Sequence, residues 1–102
     1  MAKSKITFKN GDVFVGEAAN GLPHGKGVYT FANGDVYEGD FANNTLEGVG
    51  KMTFACGDVY EGEFKDNQWH GNGKYISADS TVYEGAFKEG LRNGTGTMYF
   101  AN

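Results

Sequence analysis

The chain has 102 residues, with nine Lys and Arg against 13 Asp and Glu, and a formal net charge of −4. This acidic balance excludes non-specific nucleic-acid binding, which needs a basic surface, and gives no polybasic patch for an anionic membrane. Glycine accounts for 17 residues and aromatic residues for 15% of the chain, whereas leucine is nearly absent. Because glycine is a poor helix former and leucine a good one, the composition favours short strands joined by tight turns.

The distribution of apolar residues along the chain predicts about nine short strands. In chain order they cover residues 5–8, 12–17, 26–31, 35–41, 49–54, 58–64, 73–77, 81–87 and 95–100. Asn33-Gly34 and Cys56-Gly57 lie between consecutive runs, where glycine supplies the positive φ that a hairpin turn needs. Ser80 replaces this glycine in the following connection, which favours a different turn there. Each pair of strands therefore has the pattern of a β-hairpin.

These hairpins recur at a fixed step of 23 residues. An aromatic-x-Gly motif begins at Phe14, Tyr37, Tyr60 and Tyr83, and a Gly-x-Gly motif begins at Gly25, Gly48, Gly71 and Gly94. A fixed period is the signature of a repeat architecture. We expect one array over residues 1–102, with an N-terminal half-repeat at 5–8 and repeats at about 9–31, 32–54, 55–77 and 78–100.

The ends of the array differ from its middle, as terminal repeats tend to do. Val15 and Ala18 stand where later repeats have Glu and Phe. The sequence ends at Ala101-Asn102, where the next turn would begin. We expect either a repeat boundary inside a longer protein or a last strand that pairs with another chain, because an exposed edge strand is a template for such pairing.

Alternation with period two sorts each hairpin onto two faces. In the second repeat one face carries Tyr37, Gly39, Phe41, Gly48, Gly50, Met52 and Phe54, and the other carries Val36, Glu38, Asp40, Val49, Lys51 and Thr53. For this sorting to persist, the loop between repeats must hold an odd number of residues, and three is a common length. Two registers remain open, and both set large rings beside glycines of the neighbouring strand, which covers the exposed backbone.

The pattern Tyr-x-Gly-x-Phe followed by His-Gly-x-Gly resembles the MORN (membrane occupation and recognition nexus) repeat over residues 8–100. His24 and His70 occupy the histidine position of that motif, whereas Glu47 and Asn93 replace it, so a shared chemical role for this column is not expected. The resemblance implies an elongated, curved, single-layer antiparallel sheet whose groove is lined by aromatic residues. It also implies a scaffold that binds peptides or helices of partner proteins, dimerises, or helps to place larger proteins at membranes.

The aromatic residues of four repeats are the expected binding surface, because a large apolar stripe on a soluble protein usually marks an interface and aromatic side chains are frequent anchors. Part of the surface of each ring packs over the glycines, and its exposed edge remains available for binding. The expected partner-binding groove consists of Tyr29, Tyr37, Phe41, Met52, Tyr60, Phe64, Tyr75, Tyr83 and Phe87. We expect a peptide or helix of a partner protein there, and a homodimer through an edge strand. A phospholipid-binding module and a non-catalytic segment of a larger enzyme remain alternatives.

The polar residues predict no catalytic, cofactor or metal site. No nucleophile–base pair recurs in the motifs. Glu38, Glu61 and Glu84 supply one carboxylate per strand, which is not a compact calcium site. They share their face with Asp40 and Glu63, and we expect them to pair across strands with Lys51 and Lys74. His24 and His70 have no zinc spacing, and we expect them to shape the turn before Gly-x-Gly.

Two single residues stand apart from the columns. Trp69 differs from the equivalent residues of the other repeats, Pro23, Leu46 and Arg92. It is predicted at a loop tip, where it either anchors a partner or packs on its own loop. Cys56 lies in a turn and is expected to be an exposed thiol. A lone cysteine forms no intramolecular disulfide, and the N-terminal residues 1–5 have no secretory pattern, so we expect a cytoplasmic protein, associated with the cytoskeleton or membranes only through partners.

Overall fold

A computed structural model describes residues 3–88 and 91–100, apart from the side chains of 91–95. These residues form nine strands and no helix: β1 (Lys3–Thr7), β2 (Val13–Ala19), β3 (Leu22–Thr30), β4 (Val36–Ala42), β5 (Thr45–Thr53), β6 (Val59–Lys65), β7 (Gln68–Ile76), β8 (Val82–Lys88) and β9 (Leu91–Tyr99). Each strand pairs antiparallel with the next, so the order in the sheet is the order in the chain. The molecule measures 44 × 23 × 21 Å. The predicted elongated single-layer antiparallel sheet is confirmed.

The second strand of each repeat begins earlier than predicted, at residues 22, 45, 68 and 91 instead of 26, 49, 73 and 95. For β5 and β7 the cause is a two-residue turn in place of the longer loop that was predicted. Asn43 and Asn44 connect β4 to β5 with φ of 50° and 68°, and Asp66 and Asn67 connect β6 to β7 with 51° and 66°. Two consecutive positive φ angles define the type I′ turn, and Asn and Asp tolerate this conformation better than most residues.

The connections between repeats are three-residue loops, as the odd-length argument predicted. Phe31 donates its N–H to the carbonyl of Asp35 at 2.8 Å and accepts from the N–H of Gly34 at 3.0 Å. The prediction of a different turn at Ser80 is wrong, because Ser77 and Thr81 make the same pair of bonds around it. Ser80 itself takes the left-handed conformation that glycine occupies elsewhere, with φ of 74°. The predicted repeat boundary or chain pairing at Ala101-Asn102 lies outside the described residues.

The strand register places glycine opposite glycine across the sheet. Gly39 of β4 faces Gly27 of β3 on one side and Gly50 of β5 on the other. Two residues away, Tyr37 faces Tyr29 and Met52 in the same way. The two registers left open by the sequence are thereby resolved, and each large ring lies diagonally over a glycine pair. A β-bulge follows the glycine in β2, β4, β6 and β8. In β4 the two-residue step from Gly39 to Phe41 faces a four-residue step of β5, from Gly50 to Leu46.

The core of this sheet is a continuous chain of edge-to-face aromatic contacts on one face. The ring of Phe41 meets Phe14 of the preceding repeat at 5.0 Å and Tyr37 of its own repeat at 5.1 Å, at angles of 80° and 86°. Phe64 connects Tyr37 to Tyr60 in the same way, at 4.9 and 5.1 Å. Edge-to-face pairs contribute about 0.5–1.5 kcal/mol each beyond their buried area. The aromatic rings therefore join each repeat to the next.

Candidate functional site

The face that carries these rings, here called the aromatic face, holds all the residues predicted for partner binding. Six of them are buried and form the core: Tyr37, Phe41, Met52, Tyr60, Phe64 and Phe87. Three are half-buried: Tyr29, Tyr75 and Tyr83. Tyr37 and Tyr60 have no exposed surface at all. Direct contact with a partner is therefore open chiefly to the half-buried members.

Further half-buried apolar side chains lie on the aromatic face and were not assigned to the predicted groove. They pack against the core and include Ile6, Phe8, Phe31, Phe54 and Trp69. The sequence contained a signal for three of them, since Phe8, Phe31 and Phe54 occupy one column of the repeat. Each of these phenylalanines directly follows the last residue of a strand and precedes a three-residue loop. They therefore lie near the edge of the sheet, where a ring is covered from fewer directions.

Trp69 lies in β7 and not at a loop tip, so that prediction is wrong. The short Asp66-Asn67 turn extends β7 back to residue 68, which brings Trp69 opposite Phe64 on β6. Its indole stacks on the Tyr60 ring at 5.0 Å with an angle of 12°, and meets Phe54 edge-on at 5.9 Å. Trp69 is half-buried and packs within the aromatic face, which neither alternative for a loop tip foresaw.

Carboxylates at the edge formed by the three-residue loops hold the ends of two tyrosines. The hydroxyl of Tyr29 donates to Oδ2 of Asp12 at 2.8 Å, and that of Tyr75 donates to Oδ2 of Asp58 at 2.6 Å. Asp12 also accepts the N–H of Ala32 at 2.7 Å. The Ala32 amide and then the Tyr29 hydroxyl hold the pKa of Asp12 below its ordinary value. Burial, reinforced by the Asp12 carboxylate, raises the pKa of Tyr29 to about 12.

The second repeat interrupts this arrangement and contains a depression in the aromatic face. Met52 stands where the first and third repeats have Tyr29 and Tyr75, and Leu46 stands where the third has Trp69. These shorter side chains leave a depression of about 360 Å³, lined by Tyr29, Phe31, Phe41, Asn44, Leu46, Met52 and Asn67. This volume is at the lower end of the range for binding cavities, roughly 300–1,000 Å³.

Comparison with known families agrees with this repeating geometry. The model of the MORN repeat matches four consecutive segments, residues 14–36, 37–59, 60–82 and 83–102. The chain belongs to the MORN repeat family. MORN repeats are generally associated with modules that bind proteins or membranes. No curated protein matches the chain significantly. In the family's division each repeat begins at the aromatic-x-Gly motif, at residues 14, 37, 60 and 83, where the sequence analysis began its repeats at 9, 32, 55 and 78.

The opposite face of this MORN array is polar and carries alternating charges. Glu61 lies between Lys51 and Lys74 in the cross-strand register, as predicted. Within the described residues, however, the one ion pair shorter than 4.0 Å joins Lys26 to Asp40, at 2.7 Å. That contact lowers the pKa of Asp40 and raises the pKa of Lys26. Because Lys26 is largely exposed, solvent screens the pair and its contribution to stability is small.

The acidic column of this face binds backbone amides more than lysines. Asp40 accepts the N–H of Val49 at 3.1 Å, and Glu63 accepts that of Asn72 at 2.7 Å. These amides belong to the Gly-x-Gly segments. Glu63 makes no ion pair shorter than 4.0 Å with a described lysine. The carboxylates instead hold the backbone opposite each β-bulge.

The histidine column of the MORN motif holds turns, although not the turn that the sequence analysis named. Nδ1 of His24 accepts the N–H of Asn43 at 3.3 Å, and Oε1 of Glu47 accepts that of Asp66 at 3.0 Å. Each therefore binds the two-residue turn of the following repeat. Glutamate can replace histidine here because both supply one acceptor.

Two other kinds of feature are absent from residues 3–88 and 91–100. No group of three or more His, Cys, Asp or Glu side chains there could hold a metal ion. In the same ranges there is no helix of the length and apolarity needed to cross a membrane. Cys56 is a free and exposed cysteine, as predicted.

Proposed function

We propose that this MORN array is a non-catalytic module that binds a segment of a partner protein on its aromatic face. The observation that carries the proposal is the half-buried row Tyr29, Phe31, Phe54, Trp69 and Tyr75 on one face of a single-layer sheet. All nine described strands belong to that sheet, so no described element covers these rings. A contiguous apolar patch on one face of a sheet usually marks an interface, and aromatic side chains supply much of the affinity at interfaces.

Charge favours a protein partner over a phospholipid surface. Asp12, Asp35, Asp58 and Asp79 follow one another at the edge formed by the three-residue loops, and the whole chain carries a net charge of −4. Binding to anionic lipid depends on lysine and arginine near the surface, at about 1 kcal/mol each. A phospholipid-binding module is therefore the second-ranked function. If the array is a segment of a larger enzyme, it would bind a partner protein in the same way. We place the protein in the cytoplasm, where a lone thiol stays reduced.

Self-association is the other part of the predicted function, and the two edges of the sheet differ in how well they suit it. Lys3 and Lys5 are exposed on β1, and lysines on an edge strand oppose pairing with another chain. At the other end Tyr99 and Phe100 are 53% and 76% exposed. We place any homodimer contact at β9. Sedimentation velocity should then show a concentration-dependent dimer that Tyr99→Lys weakens, and a monomer at all concentrations would contradict it.

The partner-binding proposal is tested by removing exposed rings without removing the core. Phe31→Ser and Phe54→Ser together take apolar surface from the aromatic face, and the array tolerates serine in this column at Ser77. Val49→Ser is the matched control, because Val49 is 62% exposed on the opposite face. Circular dichroism establishes that each variant folds.

The probe is a phage-displayed library of random linear peptides, selected on the wild-type array and then synthesised. Trp69 is the sole tryptophan of the chain and meets Phe54 in the aromatic face, so its fluorescence reports binding there. Selected peptides should bind the wild type and Val49→Ser equally, and the double variant at least about tenfold more weakly, a difference of roughly 1.4 kcal/mol. Equal binding to the double variant, or no selected peptide, would overturn the proposal. Co-sedimentation with phosphatidylserine vesicles at physiological salt, in that case, would support the lipid function.

A further inference from the structure

The depression in the second repeat arises from two departures from the neighbouring repeats. Leu46 and Met52 are both buried, at 6% and 7% exposure, so they form its floor. The half-buried Tyr29 and Phe31 stand beside it. In the third repeat the corresponding space is filled by Trp69 and Tyr75, whose rings contact each other at 5.2 Å. The second repeat therefore has an open space at the position that larger side chains fill in the third repeat.

The loop aspartate that corresponds to the column of Met52 is Asp35, and it lacks the tyrosine partner that its equivalents Asp12 and Asp58 have. In the first and third repeats a tyrosine hydroxyl bridges the gap to the aspartate of the preceding loop. Met52 has no donor to offer Asp35. Oδ1 of Asp35 accepts the N–H of Ala55 at 2.8 Å, whereas among the described residues Oδ2 meets only the amide of Asn33, at 3.4 Å. Asp35 thus keeps acceptor capacity on the side where a tyrosine hydroxyl would lie.

The lining of the depression includes an amide whose side chain also lacks the partner of its equivalent, that of Asn44. Asn67 uses its side-chain oxygen to accept the N–H of Leu46 at 2.8 Å. The equivalent donor for Asn44 would be residue 23, which is proline and has no N–H. In the described part of the chain the Asn44 side chain makes no hydrogen bond, although its backbone N–H donates to Pro23 at 2.9 Å. A primary amide donates and accepts at once, which matches a peptide group.

We infer that this depression, lined by Tyr29, Phe31, Asn44, Leu46 and Met52, is an anchor pocket for one large apolar side chain of a partner protein segment. A Lys or Arg of the same segment pairs with Asp35, and a peptide group of the segment bonds to the Asn44 amide. The inference rests on the proposed function and adds the chemistry of the segment. Charge decides the occupant, because the loop aspartates and the net charge of −4 oppose both a second copy of this chain and an anionic lipid headgroup.

The test fills the pocket with the residue that the array uses in the same column. Met52→Tyr should place a phenol across the gap, as Tyr29 and Tyr75 do, and give Asp35 the donor it lacks. The variant should fold with an unchanged or raised Tm. Met98→Tyr is the matched control, since Met98 belongs to the same column but lies in the last repeat, opposite Tyr83.

The peptides selected on the wild type are the probe, read by Trp69 fluorescence. They should share a large apolar residue next to Lys or Arg. Their affinity should fall at least about tenfold on Met52→Tyr and stay unchanged on Met98→Tyr. A second variant, Asp35→Asn, keeps an oxygen for the Ala55 amide and should reduce both the affinity and its salt dependence.

The outcomes separate this inference from the proposed function. Full binding to Met52→Tyr, together with loss on Phe31→Ser/Phe54→Ser, would overturn the pocket and leave the aromatic face as the binding surface. Peptides without basic residues, or equal binding to Asp35→Asn, would overturn the role of Asp35. If Met52→Tyr does not fold, the Asp35→Asn result and the sequences of the selected peptides decide the question. Failure of any peptide to bind the wild type overturns both proposals.

Discussion

The ring of Tyr37 lies directly over Gly50 of the neighbouring strand. A Cβ atom at Gly50 would lie 2.5 Å from ring carbons Cε1 and Cζ of Tyr37, a distance that real structures essentially never show. The Tyr37 hydroxyl donates to the carbonyl of Asp40 at 2.8 Å, which fixes the ring in place. The same arrangement joins Tyr60 to Gly73. The second glycine of the recurring Gly-x-Gly motif is therefore the surface on which the tyrosine ring of the same repeat lies, whereas the first glycine faces a carboxylate, Asp40 at Gly48 and Glu63 at Gly71.

Gly50→Ala should consequently destabilise the array by overpacking. The ring of Tyr37 has no exposed side toward which it can move, so the strands must separate locally, at a cost of about 1–3 kcal/mol. Urea denaturation followed by circular dichroism gives the free energy of unfolding. The neighbouring Val49→Ala, on the opposite and exposed face, should change it by about 0.5 kcal/mol or less. Equal effects of the two substitutions would show that the ring does not require this glycine.

The period of the sequence determined most of this fold in advance. Columns of Tyr, Gly and Phe at one step predicted nine strands, their antiparallel order and the residues of one face. The turns were harder to predict. Asn43-Asn44 and Asp66-Asn67 form type I′ turns although neither contains glycine, and their asparagines and aspartates were absorbed into longer loops. The first residues of β5 and β7 shifted for that reason.

The binding surface was harder to predict than the fold. The period-two pattern assigns each residue to one face of the sheet, but it does not indicate how deeply the side chain is buried. Tyr37 and Tyr29 are directly paired and equally aromatic, yet Tyr37 is fully buried and Tyr29 is half-buried. The difference depends on rings of the adjacent repeats, such as Phe64, which packs on Tyr37 at 4.9 Å. The depression at Met52 also depends on spatial neighbours. The sequence shows that Met52 replaces the tyrosine of its column, but it does not show the depression that this replacement leaves.

Asp58 couples the third repeat to the fourth, and its removal should weaken that interface. Its carboxylate accepts the N–H of Ala78 at 2.8 Å and the hydroxyl of Tyr75 at 2.6 Å. Asp58→Ala leaves both donors without this acceptor. Because each repeat of such an array is stabilised mainly by its neighbours, we expect a fall in Tm of roughly 4–8 °C. Asp79→Ala is the control, since within residues 3–88 and 91–100 Asp79 hydrogen-bonds only locally, to Thr81, and its fall should be clearly smaller. A Tm for Asp58→Ala equal to that control would contradict the coupling.

The two asparagine turns should respond differently to glycine. Asn44 and Asn67 have nearly the same backbone, with φ of 68° and 66°, and glycine is well suited to this conformation. Asn67→Gly removes the bond to the N–H of Leu46, which is worth about 0.5–1.5 kcal/mol. Asn44→Gly removes no such bond, because Pro23 has no N–H to donate. Chemical denaturation should therefore rank Asn44→Gly as the more stable of the two, and the reverse order would disprove this role of the Asn67 side chain.

High pH should unfold the array through its buried tyrosines. Burial raises the pKa of Tyr60 to about 12, with a contribution from the nearby Glu63 carboxylate, and burial together with Asp12 raises that of Tyr29 to about 12. The ordinary value is about 10. Since the folded pKa is the higher one, the stability that these phenols contribute is fully present below about pH 10 and is lost as the pH rises toward 12.

Thermal melts between pH 8 and pH 12 should therefore show a constant Tm up to about pH 10 and a falling Tm above it. Absorbance at 295 nm should show the phenolates of these tyrosines forming together with the loss of the strand signal in circular dichroism. Tyr60→Phe is the control, because it removes an ionisable group and the hydroxyl bond to the carbonyl of Glu63 at 2.8 Å. It should lower the neutral-pH stability by about 1 kcal/mol and make the alkaline loss shallower. Complete tyrosine ionisation near pH 10 in a still folded array would contradict the burial of these hydroxyls, because an ionised Tyr60 cannot donate to Glu63.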